Sequence, residues 1–305
     1  MRGVTPSADG LQPGVVVSRA SPRASERWSA DDRALRPRSG SSAKALLLTV
    51  LGELVLPHGG AAWTSTVVGT MALLDVEERN ARQALARLAD QGTLRSQRQG
   101  RRARWHLTEA GRRLLVEGTK RIYELGAGVD RWDGRWLVVL CSVPEDQRAK
   151  RHQLRTQLEF AGFGFLAPGV AVSPHLDREG AANAVLAELG LLPGAMVFRA
   201  EAGDLVAADD LLARAWDLDT LAASYTAFVA EFEDRAPRTD DQRCAALVEL
   251  VHQWRRFPFM DPDIPGRLLP PHWPGRTAHG VFTERHAAWS PGAIRWWLAA
   301  EATAT

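Results

Sequence analysis

The chain has 305 residues, 45% hydrophobic and 24% charged, the balance of a soluble globular protein with two or three domains. Its longest apolar runs, such as 45–48 and 136–141, fall far short of the ~18 residues needed to span a bilayer, and its Arg-, Ser-, Gly- and Pro-rich start lacks a secretory apolar core. No membrane contact and a cytoplasmic location are therefore expected. The net charge of +2 conceals a division: residues 43–121 hold 13 Lys/Arg against 7 Asp/Glu, and residues 122–305 hold 18 against 25. A polyanion would be drawn to one end of the molecule.

Residues 1–42 read as a disordered basic tail, either a plain extension or an arm that adds phosphate contacts. Leu46, Leu47, Val50, Leu51, Leu54 and Val55 recur at helical spacing, so a helix is expected from Ala43 to Pro57. A second is expected from Thr64 to about Leu74, capped by Thr64 or Ser65. A third is expected over Glu77 to Gln91, with acids at its positive end and Ala81, Leu85 and Leu88 inside. Thr93–Ser96 and Ala103–Leu107 read as a hairpin turning at Arg98–Arg102, and Thr108 caps a further helix. Three helices, a basic hairpin and a helix give the element order of a winged helix-turn-helix, expected over 43–125.

The pattern then changes. Arg135–Val143 is a continuous apolar run and reads as a buried strand. A helix over 145–161, one or two strands over 162–174, a helix over 179–189 and a strand over 195–202 follow. This order suggests a ferredoxin-like domain over 126–205. Residues 206–305 read as all-helical, with helices at 209–215, 221–234, 239–257 and around 291–300, and a Pro-rich interruption at 257–274. The expected class is α+β.

In a helix-turn-helix the second helix of the pair enters the major groove. Asn80, Arg82, Gln83 and Arg87 lie on the outward face of Glu77–Gln91, and their side chains are those that pair with base edges. Arg95, Arg98, Arg101, Arg102 and Arg104 crowd the hairpin around Gly100. Their mutual repulsion gives an ordinary loop little, whereas a wing meeting phosphates gains from it. Arg98, Arg101, Arg102 and Arg104 are therefore candidate DNA contacts. Trp254, Arg255, Arg256, Phe257 and Trp273 are a candidate ligand pocket, aromatics for an aryl or acyl group and arginines for phosphates; the alternative is a packing strap around the helical domain. Cys141 and Cys244 make neither a disulfide framework nor a zinc site. Five histidines (His175, His252, His272, His279, His286) lack metal-ligand spacing. No phosphate loop, nucleophile elbow or acid/base pair stands out, so no catalytic residue, metal or cofactor is expected.

The run Ala81 to Leu88, Gly92, Gly100-Arg101-Arg102 and the helix start at Leu107 to Gly111 resemble the PaaX-type repressors of phenylacetic acid degradation. The likeness continues in Gly162-Phe163-Gly164, Pro168-Gly169 and Ser173-Pro174. It is most distinctive in Trp254-Arg255-Arg256-Phe257-Pro258, Asp261-Pro262, Leu268-Leu269-Pro270 and Trp273-Pro274-Gly275, and covers residues 43–300. The resemblance implies a homodimer that represses from palindromic operator DNA and is released by an effector, of which an aryl-acetyl-coenzyme A thioester such as phenylacetyl-CoA is the best-known class. The chain departs from the family in its long tail and in Thr93, where a bulkier apolar residue is expected. The middle segment also resembles small CRISPR-associated ferredoxin-like nucleases, but Ser142 stands where their Asp would be. A nuclease needs carboxylates for its cation, so this segment reads as a dimerisation or spacer module. Two rival functions are an acyl-CoA- or nucleotide-handling enzyme and an architectural DNA-binding protein without effector.

Overall fold

The computed structural model describes residues 42–126, 132–203 and 207–304; the basic tail up to residue 41 and part of the link after Gly126 lie outside them. The first helix, α1 (Ala43–Val50), starts on Ser42, whose side chain accepts the amide of Ala45. It runs on through a π-helical turn, Leu51–Val55, closed by the Leu56 amide on the Leu51 carbonyl. A short strand that the sequence did not signal, β1 (Ala61–Trp63), leads into α2 (Thr64–Ala72). Then come α3 (Glu78–Asp90), the hairpin β2 (Leu94–Gln99) and β3 (Arg102–Leu107), and α4 (Glu109–Glu124). Both hairpin strands exceed expectation, so the loop is only Gly100–Arg101 between the paired Gln99 and Arg102. The three strands form one antiparallel sheet, order β1-β3-β2.

The middle of the chain forms β4 (Arg135–Cys141), α5 (Arg148–Phe160), β5 (Gly164–Ala167), β6 (Val170–Ser173), α6 (Glu179–Glu188) and β7 (Ala195–Glu201). Their sheet has the order β5-β6-β4-β7, with every neighbour antiparallel. Leu137, Val139 and Cys141 of β4 pack with α5 and α6. Trp136 and Val138, one pleat over, pack with α7 (Ala208–Ala215) and the Pro-rich segment through Leu211, Ile264 and Leu268. Cover on both faces explains why β4 is a continuous apolar run rather than an alternating one.

The C-terminal helices are α8 (Leu218–Phe232), α9 (Asp240–Trp254) and α10 (Pro274–Thr303). A capping box at Thr239 and Gln242 starts α9. The last helix was expected only around 291–300 but has 30 residues, with Pro291 inside it. A proline loses one intrahelical bond; buried Trp289, Ala293 and Trp297 on either side hold the helix through it. One buried cluster joins Leu47, Val50, Leu51 and Leu85 to Leu247, Val251, Trp254, Phe282 and Trp297. The first and last thirds of the chain thus share a core.

Candidate nucleic-acid interface

Helix α3 is strongly two-sided. Ala81, Ala84, Leu85 and Leu88 are buried, while Arg79, Asn80, Arg82, Gln83, Ala86 and Arg87 are exposed. The turn before it bends through Asp75, at φ 57°, and the Val76 amide closes on the Met71 carbonyl. Arg82 pairs with Glu78 one turn back at 2.7 Å, both ends in solvent. Such exposed pairs contribute ~0–1 kcal/mol, so a phosphate or base edge displaces Glu78 readily.

The hairpin register sorts the arginines that looked equivalent in the sequence. Side chains alternate along a strand, and the pairing puts Arg98 on the face of Ala103 and Trp105, and Arg95 with Arg102 and Arg104 on the other. A cleft of about 590 Å³ opens between hairpin and helices, lined by Trp63, Thr64, Ser65, Arg82, Arg98, Gly100, Arg101, Arg102 and Ala103. No acidic residue lines it. The guanidinium groups of Arg98 and Arg101 have no hydrogen-bond or ion-pair partner among the described residues. Thr64, expected as a cap, is instead a clamp: its hydroxyl donates to the Ala103 carbonyl at 2.9 Å and accepts the Trp105 indole N–H at 3.0 Å. This fixes the hairpin to the start of α2. Gly111 is fixed by a close approach, since a Cβ there would stand 2.1 Å from the Thr93 carbonyl oxygen. The small Thr93 is buried beneath that contact.

Arg104 lies on the opposite face of the hairpin from Arg98. Its guanidinium lies over the Trp63 ring, 5.3 Å from the centroid, and 3.8 Å from Glu301. Arg102 reaches both ways: it lines the cleft and donates to the Ala304 carbonyl at 2.9 Å. Beside them, burial and the charges of Arg95 and Arg104 hold His106 below its ordinary pKa, which favours a neutral imidazole.

The second candidate group does not converge. Trp254 is buried, stacked on Phe282 at 4.7 Å, and donates its indole N–H to the Ile122 carbonyl. Phe257 stacks on Tyr225 at 4.1 Å. Arg255, 5% exposed, donates to the Ala45 carbonyl and the Thr49 hydroxyl; burial brings its pKa down to about 10. Arg256 faces solvent. Trp254 and Trp273 line a cavity of about 260 Å³ where all three parts of the chain meet, whereas Arg255 lines a separate hollow with Thr49 and Leu115. Other walls of the first cavity include Leu125, His175, Tyr225, Asp261, Asp263, Ile264, Arg276 and His279. Tyr225 donates to Asp261 at 2.5 Å, and half-buried Arg178, in the turn before α6, donates to the Pro262 carbonyl at 2.8 Å. Burial raises Asp261 above the usual carboxylate range and pushes His175 down to about 4. Outside the Pro-rich segment these wall residues share no local pattern, because they come from positions 125 to 279.

Among the described residues no group of three or more His, Cys, Asp or Glu is placed to hold a metal ion, and no helix is long and apolar enough to cross a membrane. Both cysteines are buried and unpaired, and burial pushes the Cys244 thiol up to about 12.

Three family models match successive parts of the chain: "PaaX-like protein" over residues 42–111, "PaaX protein central Cas2-like domain" over 129–212 and "PaaX-like protein C-terminal domain" over 216–299. The chain is 29% identical over 269 residues to the transcriptional repressor PaaX of Escherichia coli, covering 85% of this chain and 83% of that one. In overall fold it is similar to an uncharacterized protein of Mycobacterium tuberculosis, with a TM-score of 0.58 at 21% identity over 84% of this chain and 98% of that one.

Proposed function

The chain belongs to the PaaX-like family, and from that premise we propose that it is a DNA-binding transcriptional repressor. The observation that carries the reading is the acid-free cleft in which Arg82 of α3 meets Arg98, Arg101 and Arg102 of the hairpin. In this reading residues 43–125 form a winged helix-turn-helix. Helix α3 lies in the major groove, with Asn80, Arg82 and Gln83 at base edges and Arg87 at the backbone. Arg98, Arg101 and Arg102 meet phosphates or the minor groove from the hairpin. Residues 126–205 are read as a ferredoxin-like domain, supported by the β-α-β-β-α-β order and the all-antiparallel sheet. Met196 and Phe198, exposed on the open edge of β7, support a second copy of the chain against that edge, as a homodimer requires.

An effector is read into the junction cavity rather than around Arg255 and Arg256. About 260 Å³ between Tyr225, Trp254 and Trp273 admits a ring-sized group but not a whole coenzyme A, whose remainder would lie outside. A ligand there shifts DNA affinity only as far as it prefers one state of the dimer. The test is a salt titration of binding to the DNA upstream of the chain's own gene, with and without aryl-acyl-coenzyme A thioesters. Tight, salt-sensitive binding is expected. Arg82→Ala should cost ~1–3 kcal/mol on the specific site and relax sequence preference. Arg101→Ala should weaken binding to all sequences and lower the salt slope by about 0.9. Equal affinity of wild type and both variants would sink the site.

A further inference from the structure

The last two turns of α10 and its cap residue Ala304 make polar contacts with the hairpin and the start of α2, four of which define the arrangement. The Thr66 hydroxyl donates to the Ala300 carbonyl at 3.4 Å. The Trp63 amide donates to Glu301 Oε1 at 2.9 Å. Arg104 stands 3.8 Å from Glu301 Oε2, and Arg102 donates to the Ala304 carbonyl. Two of the four run through one carboxylate, whose side chain is only 15% exposed. Its backbone partner, Trp63, is the residue at which β1 ends and α2 begins. Its charged partner, Arg104, pairs with Trp63 across the β1–β3 register and lies over that ring.

We propose that Glu301 is a positioning residue for DNA binding, which holds Trp63 and Arg104 so that α3 and the hairpin face DNA in one orientation. Thr64 fixes the hairpin from the cleft side and Glu301 fixes it from behind. A carboxylate on the DNA side of a basic hairpin would repel phosphate. Here it neutralises the arginine on the back and leaves Arg98 and Arg101 to meet the backbone. The same helix begins beside the junction cavity, where Gly275, Arg276 and His279 are wall residues. At 1.5 Å per residue its 30 residues span ~45 Å. A ligand that displaces the first turn of α10 therefore has a rigid element ending on the hairpin.

The proposal rests on the DNA-binding reading, and two measurements separate them. The first is binding of the full chain to its upstream DNA over a salt series. Glu301→Ala should lower affinity at least about tenfold with the salt slope unchanged, because no phosphate contact is lost. Glu301→Gln keeps an acceptor for the Trp63 amide and should lose less than about threefold. Arg104→Ala should weaken binding without changing the slope, in contrast to Arg101→Ala. Unaltered affinity in Glu301→Ala, or a slope that falls in Arg104→Ala as far as in Arg101→Ala, overturns the proposal. The second is hydrogen exchange at the Trp63 amide, which needs no DNA. It should be slow in wild type and Glu301→Gln and fast in Glu301→Ala; equal protection in all three overturns the proposal even if wild type binds no DNA, a result that would itself count against the DNA-binding reading. Should Glu301→Ala not fold, Arg104→Ala decides by its slope, and Glu301→Gln decides by its affinity: a loss as large as tenfold would make charge, not the amide contact, the task of Glu301 and overturn the proposal.

Discussion

Two stretches of this chain put arginines beside aromatics, and the fold uses them in opposite ways. Around the hairpin, Arg98 and Arg101 stand in solvent beside a cleft. Around the end of α9, Trp254, Arg255 and Phe257 are buried. What separates the two is what packs behind them. The hairpin has core on one side only, through Leu94, Trp105 and Leu107, and projects its tip into water. The α9 end lies between α1, α8 and α10, so nearly every direction from it is interior. Residue type suggests binding in both places, and topology grants the exposure to one.

The widest gap between the two regions should appear in stability. Trp254→Ala removes a ring stacked on Phe282 and the donor to Ile122, and should cost ~3–5 kcal/mol in denaturant unfolding. A cost below ~1 kcal/mol would mean that Trp254 belongs to an adaptable pocket wall rather than to the core. Arg255→Ala should cost ~2–3 kcal/mol, because the Ala45 carbonyl and the Thr49 hydroxyl lose a charged donor in a buried place. Its neighbour Arg256→Ala, on the surface, should stay within ~0.5 kcal/mol. Equal costs at the two positions would break the distinction drawn between them.

The buried region should also respond to acid. His252 lies against the Thr49 hydroxyl at 3.1 Å, and burial, then Arg255 and Arg256, push its pKa down to about 4. The unfolded chain takes up this proton near pH 6.5, well before the folded chain does. Stability from this group is therefore full above about pH 6.5 and declines as the pH falls towards 4. Asp261 and Asp263, raised by burial, act in the opposite sense. The test is accordingly the single variant: His252→Gln should flatten the fall in stability between pH 6.5 and 4. An unchanged slope would mean that His252 is already solvated.

The order of helices, the two-sidedness of α3 and the cap at Thr108 were legible, because each depends on residues within a few positions of one another. The outward set Asn80, Arg82, Gln83 and Arg87 was legible for the same reason. What was not legible depends on partners far away in the chain. The division of the hairpin arginines needs the register and an acceptor at Glu301, and the length of α10 needs a core that carries it past Pro291. The strand β1 is three residues long and exists by pairing with β3, so 61–63 alone carry no period to read.

The smallest effect in the series asks whether the exposed region works by charge alone or by presentation. Gly100 sits at φ 63°, and a Cβ there would meet nothing within 4 Å. Gly100→Ala therefore creates no clash, and its cost is that of holding an L-residue in the left-handed region, about 1 kcal/mol. The loop can relieve this by shifting its turn, which moves Arg101 while leaving every charge in the protein unchanged. If the hairpin acts only as a basic patch, DNA affinity and its salt slope should match wild type. The fixed register and the Thr64 clamp argue for presentation instead. The expected outcome is a thermal midpoint lowered by a few degrees at most, with weaker binding to the specific site and little change on unrelated DNA. That pattern would place the hairpin's contribution in where its arginines stand as well as in how many there are.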